Sequence, residues 1–167
     1  MSGWSRKLSC FAVVILLAGC SGIQQETRRP DPFSISLPRV GGGTVRFSLY
    51  RGEVVLVDFF TTWSQASLIA IPGYINLHEK YRKQGLSFIG VAMDELGETV
   101  VAPFVTGLEI PYPVAVATSA IRNGTSPFGE INANPLLAVF DRKGNLRKIF
   151  VGRVPMKDVE KIILELL

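Results

Sequence analysis

Residues 54–67 read VVLVDFFTTWSQAS, a mostly apolar run of seven residues that passes into a polar segment. The run Val54 to Phe60 is rich in β-branched and aromatic residues, which is typical of a strand buried on both faces. Ser67 to Gln84 predicts a helix that ends before Gly85. The residues predicted to lie near one face of this helix are Leu68, Ile71, Ile75 and His78. A buried strand followed by a helix indicates an α/β sheet.

Segments on both sides of this unit continue the alternation of strands and helices. Phe33 to Leu37 and Thr44 to Phe47 alternate apolar and polar residues around Gly41-Gly42-Gly43, which predicts an N-terminal β-hairpin. The elements predicted after the first helix are a strand at Leu86 to Ala92, a helix at Glu98 to Leu108, strands at Pro113 to Ala117, Leu136 to Phe140 and Leu146 to Val151, and an amphipathic helix carrying Val159, Ile162, Ile163 and Leu166. This order predicts a three-layer α/β fold with helices on both faces of the sheet.

The N-terminus has the organisation of a targeting segment. Arg6 and Lys7 precede the apolar run Leu8 to Ala18, which is too short to span a bilayer and is typical of a signal peptide. The run ends in Leu17-Ala18-Gly19-Cys20, which resembles the lipobox of bacterial lipoproteins. The alternative is an ordinary secretory peptide with a chance cysteine.

The lipobox resemblance implies a lipid on the Cys20 sulfur and cleavage before this residue. We therefore expect a lipoprotein signal peptide at residues 1–19, a lipidated cysteine and flexible tether at residues 20–32, and one folded domain at residues 33–167. The expected location is the bacterial cell envelope, with the membrane as a partner through the lipid. Ser21 is compatible with an outer-membrane lipoprotein facing the periplasm.

Composition excludes several classes of function. The formal net charge of +4 is too small and too scattered to indicate nucleic-acid binding. The two cysteines are Cys10, which would leave with the signal peptide, and Cys20, which would become a thioether, so the mature protein would hold no free thiol and no disulfide. With His78 as the single histidine, we expect neither a soft-metal site nor another cofactor.

The domain resembles the thioredoxin-like superfamily, and most closely its membrane-tethered thiol–disulfide oxidoreductases of the TlpA/ResA type. The resemblance covers residues 33–167. It rests on the strand at 51–60, the Thr61-Thr62-Trp63 approach that follows it, Pro72 at the family's helix kink, the helix-to-strand passage at 81–94, and Asn134-Pro135 at the family's cis-proline. It implies a mixed central sheet, a trans Tyr112–Pro113 bond and a cis Asn134–Pro135 bond.

The sequence departs from this family at one place. The family has Cys-x-x-Cys directly after the tryptophan, and here the residues are Ser64-Gln65-Ala66-Ser67. Thiol–disulfide exchange needs a thiolate that attacks a disulfide sulfur, so this degenerate motif predicts no exchange activity. Peroxiredoxin-type chemistry is also not expected, because no cysteine follows Thr61 or Thr62.

We therefore predict no catalytic residue. A hydrolytic Ser64 would need a nearby base, and His78 lies about 20 Å along the same helix. Ser64 on its own is typical of a helix N-cap. Asp58 stands in an apolar strand, where the resemblance implies a relic buried acid that once served the second cysteine. It is either buried with a partner such as Ser67 or directed to solvent at a strand bend.

The remaining hypothesis is a binding surface. The family's substrates are extended peptides beside the cis-proline loop, and such pairing uses backbone groups rather than thiols. The residues expected to border this groove are Trp63, Ser64, Phe128, Asn134 and Pro135. The interpretation is a redox-inactive thioredoxin-like lipoprotein that binds an extended peptide or an envelope protein. The alternative is the thiol–disulfide oxidoreductase or peroxiredoxin-like antioxidant enzyme that the resemblance alone would imply.

Overall fold

The computed structural model describes residues 31–167. The predicted signal peptide, the lipidation of Cys20 and nearly all of the tether lie outside the described residues. Asp31 caps a 3-10 turn at Pro32–Ser34 by accepting a hydrogen bond from the Phe33 N–H (2.9 Å), and it forms an ion pair with Arg51. The fold therefore includes Asp31 and Pro32, which the sequence analysis assigned to the tether.

The strands form one antiparallel pair and one five-stranded sheet. The pair consists of β1 (Ser36–Pro38) and β2 (Thr44–Arg46) and is the predicted hairpin, shortened because Phe33 and Phe47 lie in 3-10 turns. The sheet contains β3 (Val54–Phe60), β4 (Leu86–Ala92), β5 (Val114–Val116), β6 (Leu136–Phe140) and β7 (Leu146–Val151). Its strand order is β5-β4-β3-β6-β7. Because β3, β4 and β5 are parallel while β6 is antiparallel to β3 and to β7, the sheet is mixed, as expected.

Four helices complete the domain. They are α1 (Gln65–Tyr81), α2 (Glu98–Gly107), the single-turn α3 (Ser119–Arg122) and α4 (Met156–Leu166). The prediction placed the start of α1 two residues late and did not include α3. Within residues 31–167, no helix combines the length and the apolar character that crossing a bilayer requires.

The seven residues of β3 are all buried, and they divide the core into two layers. Val54, Leu56 and Phe60 lie in the first layer, against which α1, α2 and α4 pack. Val55, Val57 and Phe59 lie in the second layer, which the hairpin, the 3-10 turns and α3 cover. Helices thus lie on both faces, as predicted, but the three longer helices share one face.

The inner face of α1 agrees with the prediction only in part. Leu68 is 41% exposed, and Ile75 and His78 are half-buried. The buried residues of α1 are Ser67, Ala70, Ile71, Tyr74, Leu77 and Tyr81. Of the four predicted residues, Ile71 is buried and Ile75 packs against the core, whereas Leu68 is exposed. Because α1 carries apolar residues on most of its sides, the spacing of aliphatic residues alone does not identify the face that meets the sheet.

Candidate functional site

The chain leaves β3 and β4 at the same edge of the sheet, because Phe60 pairs with Ala92 in parallel register. The side chain of Asp94 is buried there and accepts hydrogen bonds from the Thr62 N–H (3.1 Å) and the Thr62 hydroxyl (2.6 Å). The Met93 N–H also donates to the Phe60 carbonyl (2.8 Å). These bonds fix the turn at 61–64 against the turn that follows β4.

Trp63 and Ser64 occupy this fixed turn. The Trp63 side chain is 75% exposed. Ser64 is the N-cap of α1, and its hydroxyl accepts a hydrogen bond from the Ser67 N–H (3.3 Å), which confirms the N-cap prediction. The turn therefore presents an indole to solvent beside the first turn of a long helix.

Three buried polar groups lie in β3, in the turn that follows it and in the first turn of α1. Asp58 Oδ1, Thr61 Oγ1 and Ser67 Oγ are all buried and have no hydrogen-bond partner among residues 31–167. Asp58 is therefore buried rather than directed to solvent, and the hydrogen bond considered between Asp58 and Ser67 does not form. Burial raises the pKa of Asp58 to about 7.

Two tyrosines and one histidine lie in the same layer as Asp58. Burial, followed by the charge of Asp58, raises the pKa of Tyr74 and of Tyr112. Burial lowers the pKa of His78, whose ring packs edge-on against Phe88 and Tyr112. His78 thus lies in an aromatic environment, and no group of His, Cys, Asp and Glu in the described part of the chain could hold a metal ion.

The loop before β6 forms the other side of the site. Asn134–Pro135 is the one cis peptide bond within residues 31–167, and Tyr112–Pro113 is trans, as predicted for both. Phe59 pairs with Leu136 in antiparallel register, so the residues before Leu136 run beside those after Phe59. The Pro135 carbonyl accepts from the Gly152 N–H (2.9 Å), whereas the exposed Asn134 makes no backbone hydrogen bond with another described residue.

The predicted groove residues divide into two groups. Trp63, Ser64, Asn134 and Pro135 belong to the turn and the loop that meet at this edge of the sheet. Phe128 lies in the second layer, where its ring packs against Phe47, Phe59 and Phe140. Two residues of the site have no counterpart in the sequence predictions, namely Asp94, which anchors the turn, and Leu96, which is 73% exposed. The strands β3 and β4 have equal lengths and run parallel, so residues at the same distance beyond their ends lie side by side. This signal could have paired residue 62 with residue 94.

Comparison with known proteins identifies the family. Residues 30–149 match the model of the AhpC/TSA family. The chain belongs to this family. Among its relatives, Thioredoxin-like protein YneN of Bacillus subtilis is 23% identical over 141 residues, which are 84% of this chain and 79% of that protein.

Other relatives carry a thiol–disulfide oxidoreductase name. Thiol-disulfide oxidoreductase ResA of Bacillus cereus is 26% identical over 121 residues, or 71% of this chain. The match spans 66% of the length of this ResA protein and 64% of that of Geobacillus kaustophilus. The resemblance to ResA-like oxidoreductases expected from the sequence is confirmed at low identity.

Solved structures agree on the fold. A thioredoxin-family thiol:disulfide interchange protein from Chlorobium tepidum is 28% identical, with a TM-score of 0.69 over 79% of this chain and 92% of that one. The structure of MTB dsbF aligns with a TM-score of 0.71 over 83% of this chain and 98% of that one, at 17% identity. This chain therefore has a thioredoxin-like fold.

Proposed function

We propose that this protein is a redox-inactive thioredoxin-like lipoprotein that binds an extended peptide segment of a partner protein at the bacterial cell envelope. The observation that carries the proposal is the composition of the first turn of α1. Ser64 and Ser67 occupy this turn behind an exposed tryptophan, in a chain related to thiol–disulfide oxidoreductases. We interpret both serines as replacements for the family's cysteines.

The chemistry of this turn does not support exchange. Disulfide exchange begins with a thiolate, and a serine hydroxyl has no comparable redox couple. None of residues 31–167 is a cysteine. On this interpretation Asp58 is a relic, because it is a buried acid with no thiol from which to take a proton.

Two features favour peptide binding at the same place. The N–H and C=O of Asn134 are free of backbone partners within the described domain, so an extended chain can pair with them as an added strand. Trp63 and Leu96 offer exposed apolar side chains on the two turns that the Thr62–Asp94 hydrogen bonds hold together. An exposed aromatic residue beside free backbone groups is a frequent basis of peptide recognition.

The envelope location rests on the sequence. A lipid on Cys20 would attach the domain to the membrane through the tether, and Ser21 is compatible with an outer-membrane lipoprotein that faces the periplasm. The alternative function, a thiol–disulfide oxidoreductase or a peroxiredoxin-like antioxidant enzyme, is favoured by the names of the relatives. It would require a cysteine from outside residues 31–167.

Site-specific photocrosslinking in intact cells tests the binding function. A photoreactive phenylalanine analogue at the position of Trp63 is expected to give discrete adducts with one or a few envelope proteins. The matched control is the same analogue at Leu49, which is another exposed apolar side chain, 66% exposed, in a turn outside the proposed site. No adducts at position 63, or the same adducts at both positions, would contradict the proposal.

A further inference from the structure

A cavity lies away from the turn that carries Trp63. It is a cavity of about 930 Å³ on the second face of the sheet, and its apolar lining includes Phe59, Phe128, Leu136 and Phe140. β7 borders it through Leu146 and Ile149. Of the residues predicted to border the peptide groove, Phe128 lines this cavity, whereas Trp63, Ser64, Asn134 and Pro135 do not.

β7 is an edge strand with apolar side chains left open. Among residues 31–167 it pairs with β6 alone, and five of its six residues are exposed. Leu146, Ile149 and Val151 are 43%, 46% and 58% exposed, and they pair with Phe140, Ala138 and Leu136 of the second layer. The shift in register between Val139 and Phe140 keeps these three side chains on one face. They continue the apolar layer to an edge where strand hydrogen bonds are free.

The charges around this edge are mainly basic. Exposed cations lie on β7 and on the two turns that flank it, namely Lys143, Arg147, Lys148 and Arg153. Arg147 pairs with Asp141 (3.2 Å), and the Lys148 ammonium lies 5.7 Å from the centre of the Phe150 ring. Two acidic residues of the described domain line the cavity, Glu130 and Asp31. Asp31 forms an ion pair with Arg51.

This charge pattern discriminates between possible occupants. A second copy that added its own β7 would bring Arg147 and Lys148 close to the same residues of the first copy, and like charges on paired strands are unfavourable. Residues 21–30 of this chain contain Arg28 and Arg29 against one acid, Glu26, so they are not complementary either. An acidic segment that alternates with apolar residues matches both the cations and the open apolar row.

We propose that the outer edge of β7, together with this cavity, is a second binding site, which takes an extended acidic segment of a partner protein as an added strand. The acidic side chains of this segment pair with Lys148 and its basic neighbours. Its apolar side chains enter the cavity beside Ile149. This site is independent of the peptide groove at Trp63, so an experiment can contradict the proposal for one site and leave the proposal for the other unchanged.

The probe is a short fluorescent peptide of alternating glutamate and valine, with blocked ends, added to the full chain in detergent. Fluorescence polarisation is expected to show binding that weakens with salt. A peptide with lysine for glutamate, and one N-methylated along its backbone, are expected to bind at least about tenfold more weakly. Hydrogen exchange measured by mass spectrometry is expected to slow in β7 and to stay unchanged in residues 61–68.

Two surface variants locate the site, each with a matched control on α4. Lys148→Glu and Ile149→Asp are expected to weaken binding by about tenfold or more, while Lys161→Glu and Leu164→Asp, at exposed positions of α4, leave it unchanged. If Ile149→Asp does not fold, Lys148→Glu alone carries the test. Equal binding of the lysine peptide, unchanged binding in Lys148→Glu, self-association through β7, or binding to anionic lipid vesicles without peptide binding would overturn the proposal.

Discussion

Asp58 is the residue whose environment is least ordinary. It lies in the middle of a buried strand, and its Oδ1 atom has no hydrogen-bond partner among residues 31–167. Its position makes it recognisable as an unusual acid from the sequence, because a charged residue within an apolar strand is conspicuous. Its lack of a bond to Ser67 could not be predicted, because that contact depends on how α1 sits on the sheet. The Thr62–Asp94 bonds were missed for the same reason, since they join residues 32 positions apart.

The raised pKa of Asp58 makes stability depend on pH. Its pKa is about 7 in the folded protein, against an ordinary value of 3.8. Between these values the folded state holds a proton that the unfolded state has lost, so the free energy of unfolding falls as pH rises from about 4 to about 7. We expect Asp58→Asn to remove this dependence and to be more stable than the wild type above pH 7, by up to about 4 kcal/mol.

Urea denaturation across this pH range measures the effect. The control is Asp158→Asn, which changes an exposed acid in the first turn of α4. Its free energy of unfolding should depend on pH as that of the wild type does. A wild-type stability that rises through this range, or an Asp58→Asn variant with an unchanged slope, would show that Asp58 is not a neutral acid at low pH.

At the scale of elements, the first turn of α1 connects the fold to the proposed function. The sequence places this helix correctly in the chain but starts it at Ser67, because the run of aliphatic residues begins directly after this residue. The structure starts it at Gln65 because Ser64 caps the helix. α3 was not predicted because a single turn is too short to show helical periodicity. The strands β3, β4, β6 and β7 agree with the prediction residue for residue, because continuous β-forming runs between turns define their ends.

The geometry of this turn predicts that a thiol pair can function there. In a Cys10→Ser, Cys20→Ser background, Ser64→Cys with Ser67→Cys is expected to form an intramolecular disulfide. The residues are three apart at a helix N-terminus, which lets the sulfurs meet and lowers the pKa of the first thiol below about 8.5. Mass under oxidising conditions and the pH dependence of alkylation measure these two properties. Each single variant is the control, and cysteines that stay reduced or alkylate with an ordinary pKa would contradict the account.

At the scale of the whole molecule, the alternation of strands and helices was sufficient to predict an α/β sheet with helices on both faces, and the family resemblance implied that the sheet is mixed. The elements that cover the second face of the sheet were less predictable. They are a hairpin, 3-10 turns and one short helix, which are too short to show a periodic pattern of apolar residues. The open edge at β7 and the cavity beside it were not predicted either. They depend on the packing of the loop at 126–131 over β6, which no local pattern in the sequence encodes.

The proposed membrane attachment has its own test. If Cys20 carries the lipid, metabolic labelling with a palmitate analogue is expected to mark the wild type and not Cys20→Ala, because the sulfur is the attachment atom. Cys10→Ala is the matched control and should be labelled like the wild type. Equal labelling of the wild type and Cys20→Ala would contradict a lipid anchor at this residue.

Reduction of insulin by dithiothreitol, with the native chain purified from membranes, tests the proposed redox inactivity most directly. The account predicts that the native chain leaves the rate at that of buffer, because the first turn of α1 has hydroxyls and no thiol. The Ser64→Cys, Ser67→Cys variant should raise the rate and so shows that the assay can detect activity at this site. Turnover by the native chain that disappears in the Ser64→Ala, Ser67→Ala variant, purified in the same way, would contradict the account.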